Sequence, residues 1–400
     1  LKKTVILTTG IYPTQGVFTL IKYFAYSLIT NSDFNKKYDL KILVFHESLI
    51  MKTKKFLYNF YLILKNFFLN EKNRIHNYSY SSKEFIIENY TIKDRMYLFS
   101  NQKEYDYYNP EIILPVLNFF KNKIFKSIGY IYDLQHRDIP KYFSQKEKQR
   151  RNLEFCNIIK YNEKFFVNSN FVKRGVLKNF NTTKNDIFKI PFLPYIIDEV
   201  KNINIDLKRK YGIYQNYFII CNRFWKHKNH DIVFEAFSKF IISKKNYQLV
   251  CTGDISDTRD PNYFGYLNKK YKTLIANQKI KILGLISRDD QLNLLNNANA
   301  VIQPTLYEGG PGGFASYEAI AFQKPLIISN IPINREIKYK KAKFFNPKSS
   351  KSLLIELNKI RSKSKNNLSM KILKKKSNFN KIQLGKFLFK SIKLTTESSK

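Results

Sequence analysis

Short β-rich apolar runs alternate with stretches of helical period along the chain, and the alternation begins twice. Thr4 to Thr9 (TVILTT) is the first run, followed by the turn GIYPTQG and a helical pattern from Val17 to about Ile29. Leu40 to Phe45, Ile128 to Tyr132, Glu163 to Ser169 and Ile187 to Pro194 read as further strands. Asn170 to Phe180 reads as a helix with Ser169 or Asn170 as its cap. The pattern restarts with a strand at Tyr217 to Asn222 and a helix at Asp231 to Ile242. Strands at 248–252, 280–286, 301–305, 325–329 and 342–346 then alternate with helices at 263–277, 289–297, about 313–323, 333–337 and 349–360, Ser287 being placed to cap the second. Such alternation predicts an α/β chain with two doubly wound sheets. The expected divisions are a first domain over 1–197, a polar linker over 198–215, a second domain over 216–375 and a basic amphipathic helical tail over 376–400.

The length of 400 residues and a hydrophobic fraction of 44% suffice for two real cores. No apolar run reaches the roughly 18 residues of a membrane span, and the start shows no signal-peptide pattern. Cys156, Cys221 and Cys251 lack metal-like spacing and are odd in number, which fits a reducing compartment and a cytoplasmic reading. The net charge of +39 sets up a field that attracts anions. Residues 338–400 hold 19 Lys and Arg against Glu356 and Glu397, a net +17 that fits nucleic acid or an anionic bilayer equally. Abundant Lys, Asn, Ile, Phe and Tyr are also what an A/T-biased coding sequence produces. Phe56 to Leu69 (FLYNFYLILKNFFL) is either a core-facing helix or one whose aromatic face dips into a lipid interface.

The stretch from Pro304 to Glu336, PTLYEGGPGGFASYEAIAFQKPLIISNIPINRE, carries the densest candidate chemistry. Gly309, Gly310, Gly312 and Gly313 stand between a strand and a helix, where the backbone can approach a ligand and aim free N–H groups at an anion. Glu308 and Glu318 flank the turn, and a carboxylate accepts both hydrogen bonds of a vicinal diol. Two other turns add polar groups at strand ends: DLQHRDIPKYFS (133–144) and RFWKHKNHD (223–231). Arg223 offers a bidentate fork for phosphate and Lys228 a compact charge. The bland alternatives are solvent-facing glutamates, a structural histidine at His136 and two surface cations among 70. His227 and His230 lack a third ligand, and Asp254, Asp257 and Asp260 read as a solvated loop, so no metal site is expected.

In order and spacing these three segments resemble the retaining glycosyltransferases of family 4, whose Glu-x7-Glu signature lies in the second half of a GT-B fold. Here the glutamates stand ten apart rather than eight, because GGPGG lengthens the turn; a branch of the family shares that longer turn. The resemblance implies that Glu318 holds the nucleotide ribose and Glu308 contacts the donor sugar. It places the backbone of Gly310, Pro311, Gly312, Gly313 and Phe314 against sugar and phosphates, and Arg223 and Lys228 on the diphosphate. The 133–144 segment resembles the family's Asp-Phe-Gln-His element, which puts His136 and Asp133 opposite the donor sugar, and Gly16 at a close approach to donor or acceptor.

The family therefore implies an acceptor-binding domain first, a nucleotide-sugar-binding domain second, and a tail returning to the first. It implies a nucleotide-diphosphate sugar as donor, no other cofactor and no metal. The acceptor expected is a saccharide or a polyprenol-linked sugar of bacterial surface polysaccharide or lipopolysaccharide, with peripheral contact to an anionic membrane surface at its inner face. Attack from the same face as the leaving phosphate is the implied route, since no enzymic nucleophile is evident. A non-catalytic basic nucleic-acid-binding protein and a degenerate GT-B membrane scaffold are the alternatives. No nucleic-acid module is recognisable, so no specific nucleic acid is expected.

Overall fold

The computed structural model describes residues 2–11, 13–46, 92–117, 124–196, 206–213, 216–257, 259–360 and 369–397. Its strands form two separate sheets. The first holds β1 (Lys3–Thr8), β2 (Tyr38–Phe45), β3 (Met96–Phe99), β4 (Pro110–Val116), β5 (Lys126–Tyr130), β6 (Lys164–Val167) and β7 (Ile187–Lys189) in the order β3-β2-β1-β4-β5-β6-β7. The second holds β8 (Asn216–Cys221), β9 (Tyr247–Thr252), β10 (Ile280–Gly284), β11 (Ala300–Gln303), β12 (Leu326–Ser329) and β13 (Ala342–Phe345) in the order β10-β9-β8-β11-β12-β13. Every pairing is parallel. Both orders reverse beside their first strand, and the crevice outside the strand ends there is where such sheets take ligands.

Parallel strands covered on both faces read as unbroken apolar runs, which is why TVILTT, YQLVCT and LIIS are legible as strands. The longer helices are α1 (Gln15–Ile29), α2 (Gln145–Tyr161), α3 (Asn170–Asn179), α4 (His230–Ser243), α5 (Tyr263–Lys270), α6 (Arg288–Asn297), α7 (Gly313–Ala321), α8 (Ser350–Asn358) and α9 (Met370–Glu397). Ser169 caps α3 through Val172 N, and Ser287 caps α6 through Asp290 N. The tail is longer than the pattern from Phe379 to Leu394. Leu373 of α9 packs in the second domain's core, and Leu384, Leu388 and Ile392 pack with α1 in the first. Gly385 makes that crossing possible, since a Cβ there would lie 2.2 Å from Ser27 O.

Several elements differ from the pattern. The helix expected over 263–277 breaks at Tyr271, whose buried ring is tied by its hydroxyl to Asp231 Oδ1 at 2.7 Å. The loop at 133–144 contains a helical turn, Gln135–Asp138, and a 3₁₀ turn, Pro140–Tyr142. β3, β4 and α2 are missing from the pattern read above, although IILPV of β4 is an apolar run of the same kind. α2 buries only Arg151, Phe155 and Ile158 along a polar sequence, too sparse a stripe for a helical period. Phe56 to Leu69 and most of the expected linker lie outside the described residues; Leu207–Tyr211 is a short helix.

Candidate functional site

The predicted site residues of the second domain converge at its topological switch point, outside the ends of β8 and β11. Arg223 and Lys228 follow β8. Asn229 takes a left-handed conformation (φ 60°), and its Nδ2 donates to Pro304 O (3.2 Å) and Pro347 O (2.9 Å). Leu306 N donates to His227 O at 2.8 Å, so the two loops are fastened side by side. Lys228 Nζ consequently stands 2.6 Å from Glu308 Oε1, with the side chains 15% and 12% exposed. Arg223 lies over the Trp225 ring at 5.4 Å. Among the described residues its guanidinium is free of hydrogen-bond and ion-pair partners.

Buried polar side chains shape the glycine turn. Asn222 Nδ2 donates to Gln303 Oε1 (2.6 Å), and Gln303 Nε2 donates to Gly312 O (2.7 Å) and Glu308 Oε1 (3.3 Å). Gly312 has φ 66°, and a Cβ on it would meet Ser316 Oγ at 2.1 Å, so only glycine fits. Gly312 N donates to Asn334 Oδ1 (2.8 Å) and Gly313 N to Gly310 O (3.2 Å). These amides are committed within the protein, and Pro311 has no amide hydrogen. This narrows the expected run of donors from 310 to 314. No side chain caps α7, and the amides of Phe314 and Ala315 have no partner among the described residues. They are the open donors of its first turn.

Glu318, 4% exposed, is ion-paired with Arg288 Nη2 from the start of α6. Arg288 Nη1 also donates to Gln291 Oε1 at 2.7 Å. The guanidinium fixes the orientation of this buried carboxylate. The thiol of Cys221 lies close by, pushed up to about 12 by burial first and then by Glu318. It remains a neutral thiol there.

The first domain meets this turn directly. A Cβ on Gly309 would lie 2.1 Å from Tyr132 O and 2.9 Å from Asp133 Cβ, and one on Gly310 would be 3.3 Å from Asn168 Cβ. Asp133 is ion-paired with buried Arg151 and accepts Gln135 N at 3.0 Å, which makes it a brace of the 133–144 segment. His136 is 1% exposed; Nε2 contacts Asn152 Oδ1 at 2.8 Å, and Nδ1 has no partner among the described residues. Arg137 Nε also donates to Asn152 Oδ1 (2.9 Å), so that oxygen is an acceptor and Nε2 carries the ring proton. Burial holds this imidazole below its ordinary pKa and neutral, with Nδ1 a lone-pair acceptor. A Cβ on Gly16 would lie 3.8 Å from Phe314 Cε2, so the neighbour of Gly16 is Phe314, at ordinary contact distance.

Sequence reasoning missed Arg288, Gln303, Asn222, Asn334, Tyr307 and Arg151. Each acts by holding another group of the chain, and the partners lie up to 173 residues away, as where the Tyr307 hydroxyl accepts Leu134 N at 3.0 Å. No three His, Cys, Asp or Glu side chains gather in a metal-like group among the described residues.

Residues 204–377 match the family model "Glycosyl transferases group 1". A curated relative, the O-antigen chain mannosyltransferase RfbU of Salmonella typhimurium, is 28% identical over 185 residues, 45% of this chain and 46% of that protein. The match thus spans less than half of the relative's length. Among solved structures, HepE of Anabaena in complex with UDP and glucose superposes with TM-score 0.64 at 11% identity, over 98% of this chain and 99% of that one. A glycosyltransferase from Rickettsia africae superposes with TM-score 0.57 at 16% identity over 100% of both chains. WaaG, a glycosyltransferase involved in lipopolysaccharide biosynthesis, superposes with TM-score 0.53 at 12% identity, over 99% and 100%. The shared fold is the two-sheet GT-B architecture.

Proposed function

We propose, from the match of residues 204–377 to the group 1 glycosyltransferases, that this chain moves a sugar from a nucleotide-diphosphate sugar to a saccharide or lipid-linked acceptor in surface polysaccharide or lipopolysaccharide assembly. The observation that carries the reading is the Lys228–Glu308 pair, fixed beside a glycine turn at the switch point of the second sheet.

Breaking the sugar–phosphate bond leaves negative charge on the departing diphosphate, and fixed positive charge there stabilises the transition state most. Lys228, the guanidinium of Arg223 and the open amides of Phe314 and Ala315 supply it in this proposal, without a metal or cofactor. Glu318, oriented by Arg288, takes the ribose diol. Glu308 and the lone pair of His136 Nδ1 take sugar hydroxyls, while Asp133 braces the segment that carries His136. The departing phosphate accepts the acceptor's proton on the same face, which retains the anomeric configuration.

The first sheet is the proposed acceptor side. Lys375, Lys376, Lys386 and Lys390 are exposed on α9, whose Leu384, Leu388 and Ile392 are spent on the protein core, and they suit an anionic membrane surface. No helix among the described residues is long and apolar enough to cross a membrane.

A melting panel with UDP, GDP, ADP, CMP and their sugar conjugates tests the reading, run with EDTA and with magnesium on wild type and Glu318→Ala. Stabilisation by one nucleotide family in EDTA, lost in the variant, is the expected result. If RNA or anionic vesicles shift the melting curve and no nucleotide does, the enzyme reading falls.

A further inference from the structure

The 3₁₀ turn Asn334–Glu336, just after β12, touches both the glycine turn and the opposite domain. Asn334 Oδ1 accepts Gly312 N at 2.8 Å, while Asn334 Nδ2 is anchored on Ser329 O at 2.9 Å. Two residues on, the Glu336 carboxylate crosses to the first domain. Oε2 accepts Asn170 N (3.0 Å) and Oε1 accepts Phe171 N (2.8 Å), the first two amides of α3. Ser169 takes Val172 N, so the start of α3 is capped partly by its own domain and partly by the other. A carboxylate on those amides also meets the positive end of the helix dipole. Around this contact Ile331 and Ile333 pack into a cluster with Ile131, Val172 and Val176, and Ser169 Oγ donates to Gly309 O at 3.3 Å.

We propose that Glu336 is a positioning residue for sugar transfer: by docking α3 across the cleft it holds the two domains at working distance and fixes the glycine turn through Asn334. The kinetic part of this proposal rests on the glycosyltransferase reading; the docking part does not. Because one short turn carries both contacts, undocking α3 frees the turn that holds Gly312 N, so domain position and turn geometry change together. The contact is made by two backbone amides, so its loss is felt through the carboxylate and not through the identity of Asn170 or Phe171.

Three variants separate docking from folding. Glu336→Ala removes both acceptors, and Glu336→Gln keeps one neutral oxygen. Asn170→Pro deletes one donor while suiting the first position of a helix, behind a residue already extended at φ −156°, ψ 160°. Small-angle scattering on the whole protein should show a larger radius of gyration in Glu336→Ala, with smaller shifts in Glu336→Gln and Asn170→Pro. The Glu336→Ala/Asn170→Pro double variant should expand no further than Glu336→Ala. With the donor found by the melting panel, kcat should fall about tenfold in Glu336→Ala and donor KM should change less than twofold. Wild-type scattering in Glu336→Ala would overturn the docking role. Expanded scattering with unchanged kcat would overturn its link to transfer. If no donor is found, the scattering series still decides the docking, and that outcome counts against the enzyme reading alone.

Discussion

Lys228 Nζ lies 2.6 Å from Glu308 Oε1 in a part of the site where both side chains are nearly closed off. Each charge is thus compensated before any ligand arrives, and Gln303 adds a second donor to the same oxygen. In the proposed function a diphosphate entering beside Lys228 would share a cation already aimed, at little reorganisation cost.

If the proposed transfer holds, Lys228→Ala should lower kcat by about 10²-fold or more, with a smaller change in donor KM, because in that proposal the lysine acts on charge that develops at the transition state. Glu308→Ala should reduce turnover too, and should also lower stability by about 3 kcal/mol through the unpaired lysine it leaves, the low end for a broken buried pair because both side chains keep some exposure. Steady-state kinetics and denaturant melts check these outcomes. Kinetics near wild type in both variants would remove the pair from the mechanism.

Glu318→Ala should act mainly on donor affinity, with KM raised about tenfold or more, since a hydrogen bond to a charged group is worth roughly 1.5–3 kcal/mol. Arg288→Ala should behave alike, because the carboxylate loses the partner that orients it. Titration with a 2′-deoxy nucleotide checks the assignment. The loss caused by Glu318→Ala should shrink when the ribose diol is absent, and a loss of equal size with both ligands would place Glu318 elsewhere.

What was legible in the chain was whatever is local. TVILTT, YFIICN and PLIIS show their strands because parallel strands are apolar throughout, and GGPGG shows its turn because Gly312 needs a positive φ. Arg288 was illegible because its meaning comes from Glu318, thirty residues on and in another helix. His136 and Asp133 were visible as polar residues at a strand end, but nothing local tells that Arg151 braces one and Asn152 fixes the ring of the other. The polar α2 failed to declare itself because only one narrow stripe of it is buried.

Gly309→Ala tests the contact between the domains. Its methyl would fall 2.1 Å from Tyr132 O, a backbone atom that cannot swing aside, so the turn or the whole first domain must move. The variant should keep its far-UV circular dichroism and lose most transfer activity, whereas Gly16→Ala, with only ordinary contacts around its Cβ, should retain far more. Equal activity in the two variants would show that the cleft has slack at Gly309.

Acid sensitivity should come partly from two buried histidines that follow β8. Burial, and then the charge of Lys228, lowers His230 to about 3; burial with the same lysine, Arg259 and His230 lowers His227 to about 2. In the unfolded chain both titrate near the ordinary imidazole value of 6.5, so below that pH the unfolded state binds protons that the native state refuses. Stability is thus fully present above about pH 6.5 and declines as the pH falls, by up to roughly 1.4 kcal/mol per pH unit for each ring. His230 is the cleaner probe: it stacks on Phe224 at 4.1 Å and 11°, and neither ring nitrogen has a hydrogen-bond partner among the described residues. His230→Phe should melt near wild type at pH 7.5 and gain about 2 kcal/mol over it at pH 5, the product of 1.5 pH units and that slope. An unchanged slope between pH 5 and 6.5 would mean that His230 takes up its proton without unfolding.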